Sequence, residues 1–170
     1  HPVTVDLTDG AQTTDAARAL TRIDALVHAA GVMRVGRVGA LDHADGDTMW
    51  RIHVEAATRL ADVLVPPMVE RGRGRVVFLG SRVAHGMPGR AQYAATKAAL
   101  VALARSWASE VVAKGVTINV VSPAATATRA VTPTTTPAAT ATPALPNTAA
   151  AGAAAGAAAV KTFTVPNAGV

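Results

Sequence analysis

RVVFLGSRVAHGMPGRAQYAATKAALVALARSWASEVVAKGVTINVVSP, residues 75–123, is the stretch that decides the fold. It opens on RVVFLG, 75–80, a short apolar run with the length and β-branched content of a buried strand. Pro88-Gly89 then marks a turn. From about Ala91 to Lys114 the residues are mainly helix formers, and Leu100, Leu103, Trp107 and Val111 return at helical spacing as a buried stripe. Gly115 is placed to stop that helix. VTINVVS, 116–122, reads as the next strand, and Pro123 ends it. A strand, a long helix and a second strand in this order form a crossover between parallel neighbours.

Working upstream, residues 44–70 show apolar positions Met49, Ile52, Ala56, Leu60 and Leu64 at helical spacing, with Pro66-Pro67 expected to kink or end the helix. IDALVH, 23–28, reads as a strand running into Ala29-Ala30-Gly31. Residues 13–21 are expected to form a brief helix, and VTVDL, 3–7, a short buried strand. The alternation predicts an α/β protein with a parallel sheet. Composition agrees. Half of the 170 residues are hydrophobic, but the aromatics are only Trp50, Trp107, Tyr93, Phe78 and Phe163. The core must come from Val, Leu, Ile and Ala, which suits parallel strands under Ala-rich helices.

Downstream the character changes. Residues 130–160 carry no charge and are almost wholly Ala, Thr and Pro, ending in AAAGAAAGAAAV. They show no amphipathic period and are expected to be low-complexity and unstructured. The expected organisation is a domain over 1–129, this segment over 130–160, and a terminal strand over 161–170, KTFTVPNAGV.

Several function classes are disfavoured. There is no cysteine, which rules out disulfides and thiolate metal sites and fits a reducing, cytoplasmic setting. No secretory leader pattern opens the chain, and no long apolar run is free of breakers, so no membrane span is expected. The net charge is +5, and the densest basic cluster is Arg71, Arg73 and Arg75. With no interleaved aromatics, RGRGR reads as a solvated turn and not as a nucleic-acid surface.

Ser81, Tyr93 and Lys97 carry the chemistry. Ser81 follows a strand, where side chains of α/β proteins reach the ligand crevice. Tyr93 and Lys97 lie four residues apart, on one face of the helix that starts near that crevice. Reducing a carbonyl calls for a proton donor beside the oxygen that gains charge. A lysine ammonium on the same helical face favours the deprotonated form of a phenol. A serine hydroxyl can hold the substrate oxygen by a hydrogen bond. Y-x-x-x-K alone says little, but its combination with the preceding strand, Ser81 and the following strand ending in Ser122-Pro123 is specific.

GRVVFLGS, QYAATKAALVALARSWA and GVTINVVSPAATAT together resemble the core of the short-chain dehydrogenase/reductase family. DALVHAAGV resembles that family's strand-four motif, usually written Asn-Asn-Ala-Gly, and VTVDLTD its third strand. The similarity covers about residues 3–129. It implies a Rossmann-like, doubly wound parallel sheet that lacks the family's first two strands and its Gly-rich phosphate loop. It implies NAD or NADP as cofactor and a small alcohol or carbonyl as substrate. Ser81 would bind substrate, Tyr93 would be the acid/base, and Lys97 would tune Tyr93 and hold the nicotinamide ribose. Asp6 would lie by adenine, Ala30 and Gly31 would line the cofactor cleft, and Pro123, Thr126 and Thr128 would stand near the nicotinamide amide. KTFTVPNAGV weakly resembles the family's last strand. Polyketide ketoreductase domains share VHAAGV but usually carry Asn where Lys97 stands, so a free-standing reductase is the better match.

Three departures qualify the resemblance. His53 replaces an Asn that often anchors a proton-relay water, so it is a candidate for a modified relay. Pro-Ala replaces Pro-Gly at 123–124. The phosphate loop and its flanking elements are absent from these residues, which leaves a gap in the sheet between strands 3–7 and 23–28. The expectation is an oxidoreductase that forms a homodimer or homotetramer through helices 44–70 and 91–114. The rival readings are a non-catalytic remnant unable to bind cofactor and an assembly element acting through its two long helices.

Overall fold

The computed structural model describes residues 3–20 and 22–123. Thr126, Thr128, the segment 130–160 and the expected terminal strand 161–170 lie outside the described residues.

Three parallel strands form the sheet: β1 (Ala25–His28), β2 (Gly74–Leu79) and β3 (Val116–Val121), in that spatial order. Ala25 stands opposite Arg75 and Gly74 opposite Val116, so all three strands point their carboxyl ends the same way. The first crossover is a long helical run, made of α2 (His43–Trp50), a π-helical turn (Arg51–Glu55) and α3 (Ala56–Glu70). The second is α4 (Ala91–Val111), closed by a 3₁₀ turn over Val112–Lys114. A short α1 (Gly10–Arg18) packs on α3.

Local chemistry sets the element ends. Asp9 caps α1 by accepting from the N–H groups of Ala11 and Gln12, and Asp42 caps α2 through Ala44 and Asp45. Gly115 ends the second crossover with φ of 80°. A side chain there would also collide with the carbonyl oxygen of Gly72, so the site demands glycine twice over. At the same end of the sheet Arg71 and Arg73 both approach Asp24, the latter at 3.1 Å, ahead of β1. All three clustered arginines are exposed, as the solvated-turn reading expects, and two of them also pair with Asp24.

The core lies between α3, α4 and one face of the sheet. Leu26, Val76, Phe78, Val116 and Ile118 meet Leu60, Leu64, Met68, Leu100 and Ala104 there. No described helix is long and apolar enough to cross a membrane.

Four expectations need correcting. Residues 3–7 join none of the three strands: only Val3 has a β-bridge, and Asp6 folds into a turn. The free edges of β1 and β3 are not taken up by 3–7, so these residues form no ladder in the sheet. The brief helix starts at Gly10, not at 13, because Asp9 supplies the cap. Pro66 and Pro67 lie inside α3, which continues to Glu70. Both prolines are exposed, so the carbonyls they leave without donors can turn to water. Finally, the 44–70 helix is interrupted by the π turn at Arg51–Glu55.

Candidate functional site

The carboxyl ends of β1 and β2 hold the cluster. β1 runs into Ala30 and Gly31, both half-buried, and the amino-terminal half of α4 delivers Tyr93, Thr96 and Lys97 to the same place. Lys97 is only 4% exposed. Its Nζ donates to the backbone oxygen of Leu79, the last residue of β2, across 2.8 Å. It also lies 5.7 Å from the centre of the Tyr93 ring. Burial pushes the Lys97 ammonium down to about 8 from its usual 10.5, so it remains mainly charged at neutral pH.

His53 stands on the π turn and is fully buried. Val32 N–H donates to its Nε2 across 3.0 Å. An N–H can only donate, so the ring proton sits on Nδ1, which donates to Thr96 Oγ1 at 2.7 Å. Thr96 Oγ1 donates onward to the Tyr93 carbonyl at 2.8 Å. Burial, then the charge of Lys97, then His28 hold His53 down to about 3, so the ring is neutral. Its edge meets the Tyr93 ring at 5.5 Å between centres. A Cβ on Gly31 would come within 2.9 Å of His53 Nε2 and 3.7 Å of Lys97 Nζ, so glycine is what lets the chain pass this close.

Ser81 is reached through Gly80. The Gly80 N–H bonds Val121 O at 2.8 Å, and a side chain at Gly80 would press on Ser122 and Val120. Ser81 Oγ accepts from Val83 N–H and caps the 3₁₀ turn Arg82–His85, which leaves its own proton to donate. An open cleft of about 540 Å³ reaches Ser81 from the α4–β3 side. Ser81 lines it, and Tyr93 and Lys97 do not.

Gly31, His53, Tyr93 and Lys97 are therefore brought together, and Ser81 follows the strand whose end holds Lys97. Asp6 is spent locally: its Oδ1 accepts from Thr8 N–H and Thr8 Oγ1 at 2.9 and 2.8 Å. Pro123 stands exposed just past β3. Sequence reasoning missed Thr96 and the Val32 amide. A lone threonine in an Ala-rich helix, three residues after Tyr93, was the available signal for Thr96, because such residues bond back to the preceding turn. Nothing in the sequence marks the Val32 amide.

The pattern of short chain dehydrogenases matches residues 1–139 of this chain. The chain belongs to that family. Among relatives of this short-chain dehydrogenase is a 3-oxoacyl-[acyl-carrier-protein] reductase of Thermotoga maritima, 30% identical over 103 residues, covering 60% of this chain and 42% of the relative. A solved short-chain dehydrogenase from Streptomyces avermitilis superposes with a TM-score of 0.72 at 33% identity, over 75% of this chain and 49% of that one. Another, from Sphingobium yanoikuyae in complex with NADPH, gives 0.67 at 30% identity, over 72% and 50%. This short-chain dehydrogenase chain spans about half the length of the proteins it matches.

Proposed function

We propose that the protein is an NAD(P)-dependent oxidoreductase that moves a hydride between a nicotinamide cofactor and a secondary alcohol or ketone. The observation that carries this is Lys97: a buried ammonium, tied to the end of β2 and set beside Tyr93. Burying such a charge costs several kcal/mol unless something compensates it, and a functional role is a common reason to retain one.

The cluster fits a nicotinamide ribose. Lys97 has three N–H donors and spends one on Leu79, which leaves two for a diol. Gly31 keeps the adjacent wall free of side chain. When bound, the cofactor supplies or accepts the hydride. The Tyr93 hydroxyl gives its proton to the substrate oxygen on reduction and takes it back on oxidation. The Lys97 charge steadies the tyrosinate left between those events. Ser81 Oγ–H donates to the same substrate oxygen and holds it for the transfer. His53 has both ring nitrogens engaged by protein groups, Val32 N–H and Thr96 Oγ1, which supports a holding role for it. The groove between α3 and α4, where Val65, Val69 and Trp107 lie among Asp62, Glu70, Glu110 and Lys114, offers a mixed surface through which these helices would pair in a homodimer or homotetramer.

The test uses the protein carrying this chain together with a strand and a T-G-x-x-x-G-x-G loop. Tyr93→Phe should lower turnover at least ~10²-fold, the scale for losing a general acid/base. Lys97→Ala should also weaken NAD(P)H binding in isothermal titration. Tyr93→Phe turning over within a few-fold of the parent removes Tyr93 from the mechanism. Residues 1–170 alone should bind NAD(P)H weakly, because pyrophosphate is normally held by a Gly-rich loop and a helix N-terminus.

A further inference from the structure

The helix that carries His53 is irregular at one point. Ala56 N–H bonds the oxygen of Arg51, five residues back, where an α-helix would direct it to Ile52. Ile52 O thereby loses its helical donor, and Ile52 is buried. A buried carbonyl left unpaired costs about 1–3 kcal/mol, so a replacement donor is needed. His28, the last residue of β1, provides it. Its Nε2 lies 3.1 Å from Ile52 O. A carbonyl only accepts, so the proton of the neutral His28 ring sits on Nε2. His28 is buried, and its Nδ1 finds no partner among the described residues. The ring's direct bond is to Ile52 O, with the His53 backbone beside it.

The π turn has a consequence for the next residue. An extra residue in one turn rotates the side chains after it by about 100° relative to those before it. His53 immediately follows Ile52 and lies inside that turn, aimed at Val32 and Thr96.

We propose that His28 is a positioning residue: its Nε2–H replaces the donor that the π turn takes from Ile52, and the turn so held seats His53 between Val32 and Thr96. His28 touches no reacting group and acts through His53, which in turn fixes the first turns of α4 through Thr96 and the Tyr93 carbonyl. Its effect on turnover rests on the oxidoreductase reading; the seating of His53 does not.

The experiment is nuclear magnetic resonance on the whole chain. Long-range ¹H–¹⁵N correlations should show the Nε2–H tautomer for His28 and the Nδ1–H tautomer for His53. His28→Leu keeps the bulk and removes the donor; hydrogen-exchange protection of the Val32 amide should fall at least ~10-fold, and the His53 tautomer should become mixed. His28→Gln places an amide N–H at a similar reach and should keep both within about 3-fold of the parent. An Nδ1–H tautomer for His28, or an unchanged His53 and Val32 in His28→Leu, overturns the proposal. If His28→Leu fails to fold, the parent tautomer and the Val32 protection in His28→Gln decide, and loss of that protection in a folded His28→Gln counts against the proposal. In the protein completed with a phosphate loop, His28→Leu should lower kcat more than it changes KM, with rescue by His28→Gln. Absent turnover in the parent would sink the oxidoreductase reading and leave the resonance result standing.

Discussion

The two faces of the sheet differ in what lies against them. On one face Leu26, Val76, Phe78, Val116 and Ile118 press on α3 and α4 and are buried. On the other, Val27 and Val121 are each 51% exposed, and Val77 and Leu79 are half-buried. Parallel sheets are normally covered on both faces. Every polar contact of the cluster belongs to the covered side: His28 shares a face of β1 with Leu26, His53 rides on the first crossover, and Tyr93, Thr96 and Lys97 ride on the second. The arrangement of the site thus depends on one layer of helices. The other face contributes to none of these hydrogen bonds.

Substitutions can break this comparison. The largest effect is expected at Phe78, which is 0% exposed and has its ring 6.0 Å from that of Trp107 and 6.4 Å from that of His28. Phe78→Ala should cost about 3–5 kcal/mol in urea unfolding, the usual range for removing a buried phenyl ring from a packed core. A loss under ~1 kcal/mol would mean that the covered face is loosely packed and that the contrast between the faces is unreal.

The covered side should also respond to acid. Burial holds His28 at about 4 and His53 at about 3, against 6.5 in the unfolded chain. Between those values the unfolded chain binds protons that the folded one refuses, so stability present above pH 6.5 is lost as pH falls toward 4. From pH 7 to pH 4.5 each ring should account for about 2 kcal/mol. His53→Asn should therefore unfold with a shallower loss of stability over that window. A parent and variant with parallel pH curves would show that His53 takes a proton in the folded state.

The β2–α4–β3 unit was legible almost to the residue. The expected strands 75–80 and 116–122 became 74–79 and 116–121, and the helix begins at Ala91 as read. Its signals are local: a β-branched run, a Pro-Gly turn, a stripe, a stop glycine. Tyr93 and Lys97 were legible for the same reason, because helical spacing alone puts them on one face. The π turn was not: Met49, Ile52, Ala56, Leu60 and Leu64, which read as one regular helical stripe, are all buried across it. His28 was invisible as a donor because its use depends on that turn. VTVDL has the composition of a strand but no described partner, and pairing is a tertiary matter that composition cannot supply.

The smallest effect is expected on the bare face, and it is the sharpest probe of the comparison. Val27→Thr keeps the β-branched shape and the strand preference and adds one hydroxyl. In a packed interior that hydroxyl would need a partner and would cost about 1–3 kcal/mol without one. At a side chain half open to solvent, water satisfies it, and the change in stability should stay within about 0.5 kcal/mol. Leu26→Ala, one residue earlier on the same strand but on the covered face, should cost about 2–5 kcal/mol. The ratio between these neighbours measures the asymmetry directly, because strand, register and edge position are shared. A loss above ~1 kcal/mol at Val27 would mean that this face is covered in solution, and the sheet would then have two buried faces.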